Sequence, residues 1–117
     1  MEFVKQVKET HTLAICSGAR RILVDAYLDK FDLHGVFKSI VPADDVNKSK
    51  PDPESYIKML KELDISQTEA IAIEDSLSGI RSAMAAGIFT VAITTTHKAN
   101  DLKIADKVVD NFSEIIS

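Results

Sequence analysis

The chain has 117 residues, with 14 Lys plus Arg against 18 Asp plus Glu for a formal charge of −4; 45% of its residues are hydrophobic and 27% charged. That balance suits one small globular domain, excludes an intrinsically disordered tail, and argues against nucleic acid as a partner, which requires a concentrated cationic surface to displace counterions. The single cysteine, Cys16, forms no internal disulfide, and strand-sized apolar runs behind a charged amino terminus, MEFVKQVKET, give neither a membrane span nor a secretory signal, so the expected setting is the cytoplasm.

Along the chain, Val4 and Val7 among Glu2, Lys5, Gln6, Lys8 and Glu9 predict an opening helix whose thin apolar stripe must lean on other elements. Leu13-Ala14-Ile15-Cys16 reads as a strand closed by Ser17-Gly18. Ala19 to Phe31 then reads as a helix, with Ile22, Leu23, Ala26, Tyr27 and Phe31 at three-and-four spacing. Phe37 to Val41 is a second strand, and a polar loop runs from Pro42 to Pro53. Pro53 suits a first helical turn, where its missing N–H costs nothing, with Asp52 as a cap; Ile57, Leu60 and Leu63 are expected to mark the buried face. Ala70 to Ile73 is a third strand that ends on two acids, Glu74-Asp75, and feeds a helix from Ser76 to Ala86 stopped by Gly87. Ile88 to Thr94 and Lys107 to Val109 complete the strands, before a closing turn around Phe112 to Ile116. Apolar residues at consecutive strand positions predict sheet faces covered on both sides: an α/β fold with a parallel sheet between helical layers, undivided by repeat or linker.

In an open parallel sheet, ligands gather beyond the carboxyl ends of the strands, where loops converge and helix amino termini present unpaired N–H groups. Polar residues stand there after three strands: Ser17-Gly18, Lys50 and Glu74-Asp75. A hydroxyl with backbone N–H groups, an ammonium and two adjacent carboxylates describe a site for phosphate and a hard divalent cation such as Mg²⁺. Taken singly, each has an ordinary alternative: Ser17 caps a helix, Lys50 is a solvated loop charge, and Asp75 answers a helix dipole. Glu74 resists such a reading, because neighbouring carboxylates at the end of a buried strand repel each other and lose hydration, which calls for a cation or strong donors. Cys16 reads as a buried, inert thiol, and His11, His34 and His97 lack metal-ligand spacing. The Arg20-Arg21 pair reads as solvent-facing, with Arg20 the nearer to the phosphate pocket.

LAICSGA, VPADDVNKSKPDPESY and AIAIEDSLSGIRSAMAAG, in that order over roughly Leu13 to Thr94, resemble the second, third and fourth motifs of the haloacid dehalogenase superfamily, in wording closest to its beta-phosphoglucomutase-like phosphatases. The resemblance implies a Rossmann-like parallel sheet with helices on both faces, and Mg²⁺-dependent phosphoryl transfer from a small phosphorylated metabolite, by a phosphatase or a phosphosugar mutase. It implies that Ser17, helped by the backbone at Gly18, hydrogen-bonds the transferring phosphoryl group, and that Lys50 balances the charge shared by that group and the attacking carboxylate. It implies also that Asp75 binds Mg²⁺, with Glu74 as a direct or water-mediated partner and Ser76 orienting the metal's water shell. Phosphoryl transfer asks mainly for positioning and charge neutralisation, which these residue types supply.

Members of that superfamily attack with an aspartate, which becomes phosphorylated, in an Asp-x-Asp motif on their first strand; no such motif precedes Leu13. Residues 1–11 resemble the helix that returns from the family's cap domain. The expectation for 12–117 is therefore a partial core that lacks the nucleophile strand and the cap. It is expected to be the carboxy-terminal part of a larger enzyme, inactive alone, whose sheet is completed by direct pairing of the two flanking strands, a missing amino-terminal segment or a second chain. Phe31-Asp32-Leu33-His34-Gly35-Val36 echoes the first motif, but it follows Ser17 and no strand precedes it, so it reads as a helix end terminated by Gly35. The competing expectations are a non-catalytic phosphate- and metal-binding module and a purely structural interaction domain.

Overall fold

The alternating apolar pattern becomes helix α1 (Glu2–Val7), strand β1 (Ala14–Cys16), α2 (Arg21–Lys30), β2 (Ser39–Val41), α3 (Glu54–Leu63), β3 (Ile71–Glu74), α4 (Leu77–Ala85), β4 (Phe89–Ile93), β5 (Lys107–Val109) and α5 (Ser113–Ile116). Single 3₁₀ turns lie at Ala43–Asp45, Gln67–Glu69 and Ala99–Leu102. The computed structural model describes residues 2–95 and 97–116.

All strand pairs are parallel, but they form two sheets, β1–β2 and β3–β4–β5. Ile15 lies opposite Ile40, Ile73 opposite Val91 and Ala92 opposite Val108. Among the described residues β1 and β3 do not pair with each other, so each has one edge without a ladder partner. Two apolar layers hold the sheets. On one face Tyr56 of α3, Ala72 of β3, Ala83 of α4 and Ile88 pack together with Cys16 of β1 against them, so this layer spans both sheets. On the opposite side of the strands, Val24 and Leu28 of α2 pack on Ile15 and Ile40, while Val91, Ile93 and Val109 pack with Ile73 and Ile115. Val4 of α1 reaches the α2 cluster, and the Phe3 ring meets the Phe112 ring at 4.9 Å, which gives the opening helix the support its thin stripe requires.

The helices differ from the expectation in which residues they bury. In α2 only Val24 and Leu28 are buried; Ile22, Leu23, Tyr27 and Phe31 are exposed. The β1–β2 sheet has only two three-residue strands, so it covers one narrow row of a helix that lies on it. In α3 the buried residues are Ser55, Tyr56 and Met59, and Ile57 faces outward, because the helix begins at Glu54 with Tyr56 turned to the sheet. Asp52 does cap this helix, its Oδ1 accepting from Glu54 N at 2.9 Å.

Gly35 does not terminate α2. Asp32 takes the left-handed conformation (φ 54°), and Leu33 N returns to Leu28 O at 2.8 Å, while Gly35 (φ 81°) turns the loop that follows. Asp32 is exposed at this helix end. Gly87 (φ 80°) does close α4, with Ile88 N on Ala83 O at 3.1 Å.

Candidate active site

Ser17 leaves β1 with its N–H on Val41 O at 2.9 Å, and its Oγ accepts from Ala19 N at 3.0 Å, so the hydroxyl stabilises its own turn. It does not cap α2. Asp44, in the loop after β2, supplies that cap across the fold, its Oδ1 accepting from Arg21 N at 2.6 Å; this N–H holds the Asp44 carboxyl below the usual carboxylate range. Beside Ser17, Gly18 is exposed and nothing stands within 4 Å of where a Cβ would be, so its backbone is open to an approaching group. Arg20 is solvent-facing and pairs with Asp44 at 3.9 Å.

Lys50 joins the two sheets. Its Nζ donates to Cys16 O, the last residue of β1, at 3.0 Å, and to Glu74 Oε2, the last residue of β3, at 2.8 Å. The side chains of the pair are 15% and 10% exposed, so this is a largely buried ion pair and not a solvated loop charge. An ammonium has three N–H groups, and the third has no acceptor among the described residues. Glu74 Oε2 also accepts a hydrogen bond from the buried Tyr56 hydroxyl, and the Lys50 ammonium lies 5.2 Å from the centre of the Tyr56 ring. Burial, reinforced by the carboxylate, pushes the Tyr56 phenol pKa upward. The strong donors that the acidic doublet calls for are thus Lys50 and Tyr56.

The two acids serve different partners, since consecutive residues of an extended chain point to opposite sides. Asp75, half-buried, accepts from Thr95 Oγ1 on Oδ2 at 3.3 Å, and its carbonyl accepts from His97 Nδ1 at 3.0 Å. Ser76 Oγ accepts from Gly79 N at 3.2 Å and so caps α4. Cys16 is half-buried; burial pushes its thiol up to about 12, and its Sγ donates to Ser55 O at 3.6 Å, in keeping with an inert thiol.

Lys50 therefore brings the end of the Ser17 strand and the end of the Glu74-Asp75 strand to one rim. Sequence reasoning missed Tyr56, Thr95 and His97. The usable signal for Tyr56 was its place in the first turn of an amphipathic helix six residues after Lys50, where a buried phenol must find an acceptor. For His97 there was none, because it contributes a bond to a backbone carbonyl and not a metal-ligand pattern.

A family profile for haloacid dehalogenase-like hydrolases matches residues 1–93. Validoxylamine A 7'-phosphate phosphatase of Streptomyces hygroscopicus subsp. limoneus is 33% identical over 116 residues, covering 98% of this chain and 54% of that protein. A phosphorylated carbohydrates phosphatase of Thermotoga maritima is 35% identical over 103 residues, covering 88% of this chain and 46% of that protein. In three dimensions the chain is similar to CbbY of Rhodobacter sphaeroides in complex with phosphate, with TM-score 0.89 and 28% identity over 97% of this chain and 53% of that one. A mutant of the same protein, in complex with xylulose-(1,5)bisphosphate, aligns with TM-score 0.88 and 29% identity, again over 97% of this chain and 52% of that one. The chain spans about half the length of the curated relatives it matches.

Proposed function

Because the chain belongs to the haloacid dehalogenase-like hydrolases, we propose that it forms the carboxy-terminal part of the core of a phosphatase or phosphosugar mutase acting on a small phosphorylated metabolite. The observation that carries this reading is the Lys50 ammonium, held by Cys16 O and Glu74 Oε2 with one N–H left for an anion at the rim beside Ser17 and Gly18. A phosphoryl oxygen is a strong acceptor for such a charge-assisted bond. The Ser17 hydroxyl and the open backbone at Gly18 add donors on the other side of the anion, and Lys50 offsets the charge that builds as the phosphoryl group transfers. The phosphatase activities of the two curated relatives support this substrate class.

The superfamily generally uses Mg²⁺. Among the described residues no three His, Cys, Asp or Glu side chains gather as a ready cation site, but Mg²⁺ commonly takes only one or two carboxylates and completes its shell with water and substrate phosphate. Asp75 and Glu74 fit that pattern: Asp75 would hold the ion, and Glu74 would join it through water while its Oε2 serves Lys50 and Tyr56. When bound, the ion neutralises phosphoryl charge. The nucleophile is a separate matter. The 117 residues contain no Asp-x-Asp, and β1 and β3 each keep one unpaired edge. On this reading an additional strand, from another segment or another chain, fills the space between them and presents the attacking aspartate to Lys50.

Hydrolysis of p-nitrophenyl phosphate with Mg²⁺ tests the proposal. The 117-residue chain alone should show no turnover, and a complete protein carrying the Asp-x-Asp strand should turn over and lose that activity with Lys50→Ala. Turnover by the chain alone, or full activity in the Lys50→Ala protein, overturns it.

A further inference from the structure

We propose that Tyr56 is a positioning residue for the phosphate-binding ammonium, acting through Glu74: the phenol hydroxyl and Lys50 share one carboxylate oxygen, and Tyr56 thereby sets the direction of the remaining Lys50 N–H. This deepens the functional reading above and rests on it for the identity of the anion.

A lysine that nothing holds is a mobile point charge, because its four-carbon stem has several rotatable bonds. Here the stem ends in a fixed triangle. Cys16 O lies at 3.0 Å, Glu74 Oε2 at 2.8 Å, and the Tyr56 ring lies beneath the charge with its centroid 5.2 Å away. Two of the three N–H directions are spent on β1 and β3, so the third is fixed by geometry.

That geometry is only as firm as Glu74. Its carboxylate is confined from two sides. Tyr56, 9% exposed and seated in the apolar layer between α3, β3 and α4, donates to Oε2. Opposite, α4 approaches so closely that a Cβ on Gly79 would overlap Oε1 and Cδ of Glu74, so the carboxylate occupies the space that any other residue's side chain would take. Tyr56 and Gly79 thus fix the carboxylate, and the carboxylate fixes Lys50. Phe in place of Tyr56 keeps the ring, the packing and the cation–π contact but removes the hydroxyl, and so isolates the positioning bond.

The test follows the ammonium itself. In ¹⁵N-labelled protein at neutral pH and low temperature, hydrogen-bonded lysine ammonium groups exchange slowly with water and give resolved signals, and loss of one signal in Lys50→Arg assigns it. In Tyr56→Phe, exchange at Lys50 Nζ should rise roughly fivefold, the effect of losing one hydrogen bond in the network, with an unchanged circular dichroism spectrum. Inorganic phosphate should then bind Tyr56→Phe several-fold more weakly than the parent chain. Gly79→Ala is the second arm: its methyl pushes the carboxylate off Lys50 while Tyr56 stays intact, and it should reproduce the faster exchange. Unchanged Lys50 exchange in Tyr56→Phe overturns the inference, whatever happens with phosphate. Accelerated exchange in a chain that binds no phosphate sustains the positioning role of Tyr56 and overturns the phosphate-site reading instead.

Discussion

The Lys50–Glu74 pair has the features of a buried ion pair whose members depend on each other. Each charge is mostly withdrawn from water, and removing one partner leaves the other poorly compensated, at a cost of about 3 kcal/mol. Lys50→Met and Glu74→Leu should each lower the unfolding free energy in urea by about 3 kcal/mol, and the double variant should lose less than the two losses combined. Strictly additive losses would mean that the two side chains do not act as a pair. Cys16 gives a prediction in pH. Its thiol pKa is raised by burial from 9.0 to about 12, so the folded state favours the neutral thiol. Its contribution to stability is fully present below pH 9 and declines as pH rises through the folded value. Alkaline denaturation should accordingly show a smaller loss of stability above pH 9 in Cys16→Ala than in the parent chain. Adjacent Glu74 and Asp75 announced that donors were needed, and Leu60 does pack against the core, yet Tyr56 as one of those donors depended on a helix rotation that the placing of Ile57 on the buried face misassigned.

Helix ends and strand ends were the more readable features of the elements. Ser-Gly after β1, Pro at the start of α3 and Gly87 after α4 each mark a local backbone requirement, and each falls within a residue or two of the observed boundary. What local spacing missed was how much of each helix its sheet can cover. The apolar stripe of α2 faces outward because β1 and β2 together offer too little surface, a property of the sheet that no window over Ala19 to Phe31 contains. Two substitutions probe the helix ends. Ser76→Ala removes the acceptor for Gly79 N and should destabilise the protein by about 1 kcal/mol in chemical denaturation. Asp64 ends α3 in the left-handed conformation, φ 55° and ψ 49°, where a glycine meets no Cβ penalty. Asp64→Gly should therefore stabilise the chain by up to about 1 kcal/mol, against the usual loss for glycine substitution. A decrease in stability would show that the Asp64 side chain contributes more than its backbone strain removes.

At the scale of the whole molecule, the absence of Asp-x-Asp led to the expectation of a hole in the sheet, and the strands do divide into β1–β2 and β3–β4–β5. The layered α/β architecture was legible because consecutive apolar strand residues require cover on two faces. The division between sheets was legible only through the family resemblance, since periodicity carries no information about which strands are neighbours. What holds the halves in register is also non-local: the α3 face, and one ammonium that touches the last residue of a strand in each. On the proposed reading, this contact makes a single anion site from two distant pieces of sequence. A titration of the ¹⁵N-labelled chain with inorganic phosphate, followed by backbone amide NMR, puts this to the test. Shifts should concentrate at Ser17, Gly18 and Ala19 together with Glu74, Asp75 and Ser76, and all should be abolished by Lys50→Ala in a variant shown to be folded. Shifts that survive that substitution, or that fall on only one of the two strand ends, would contradict it.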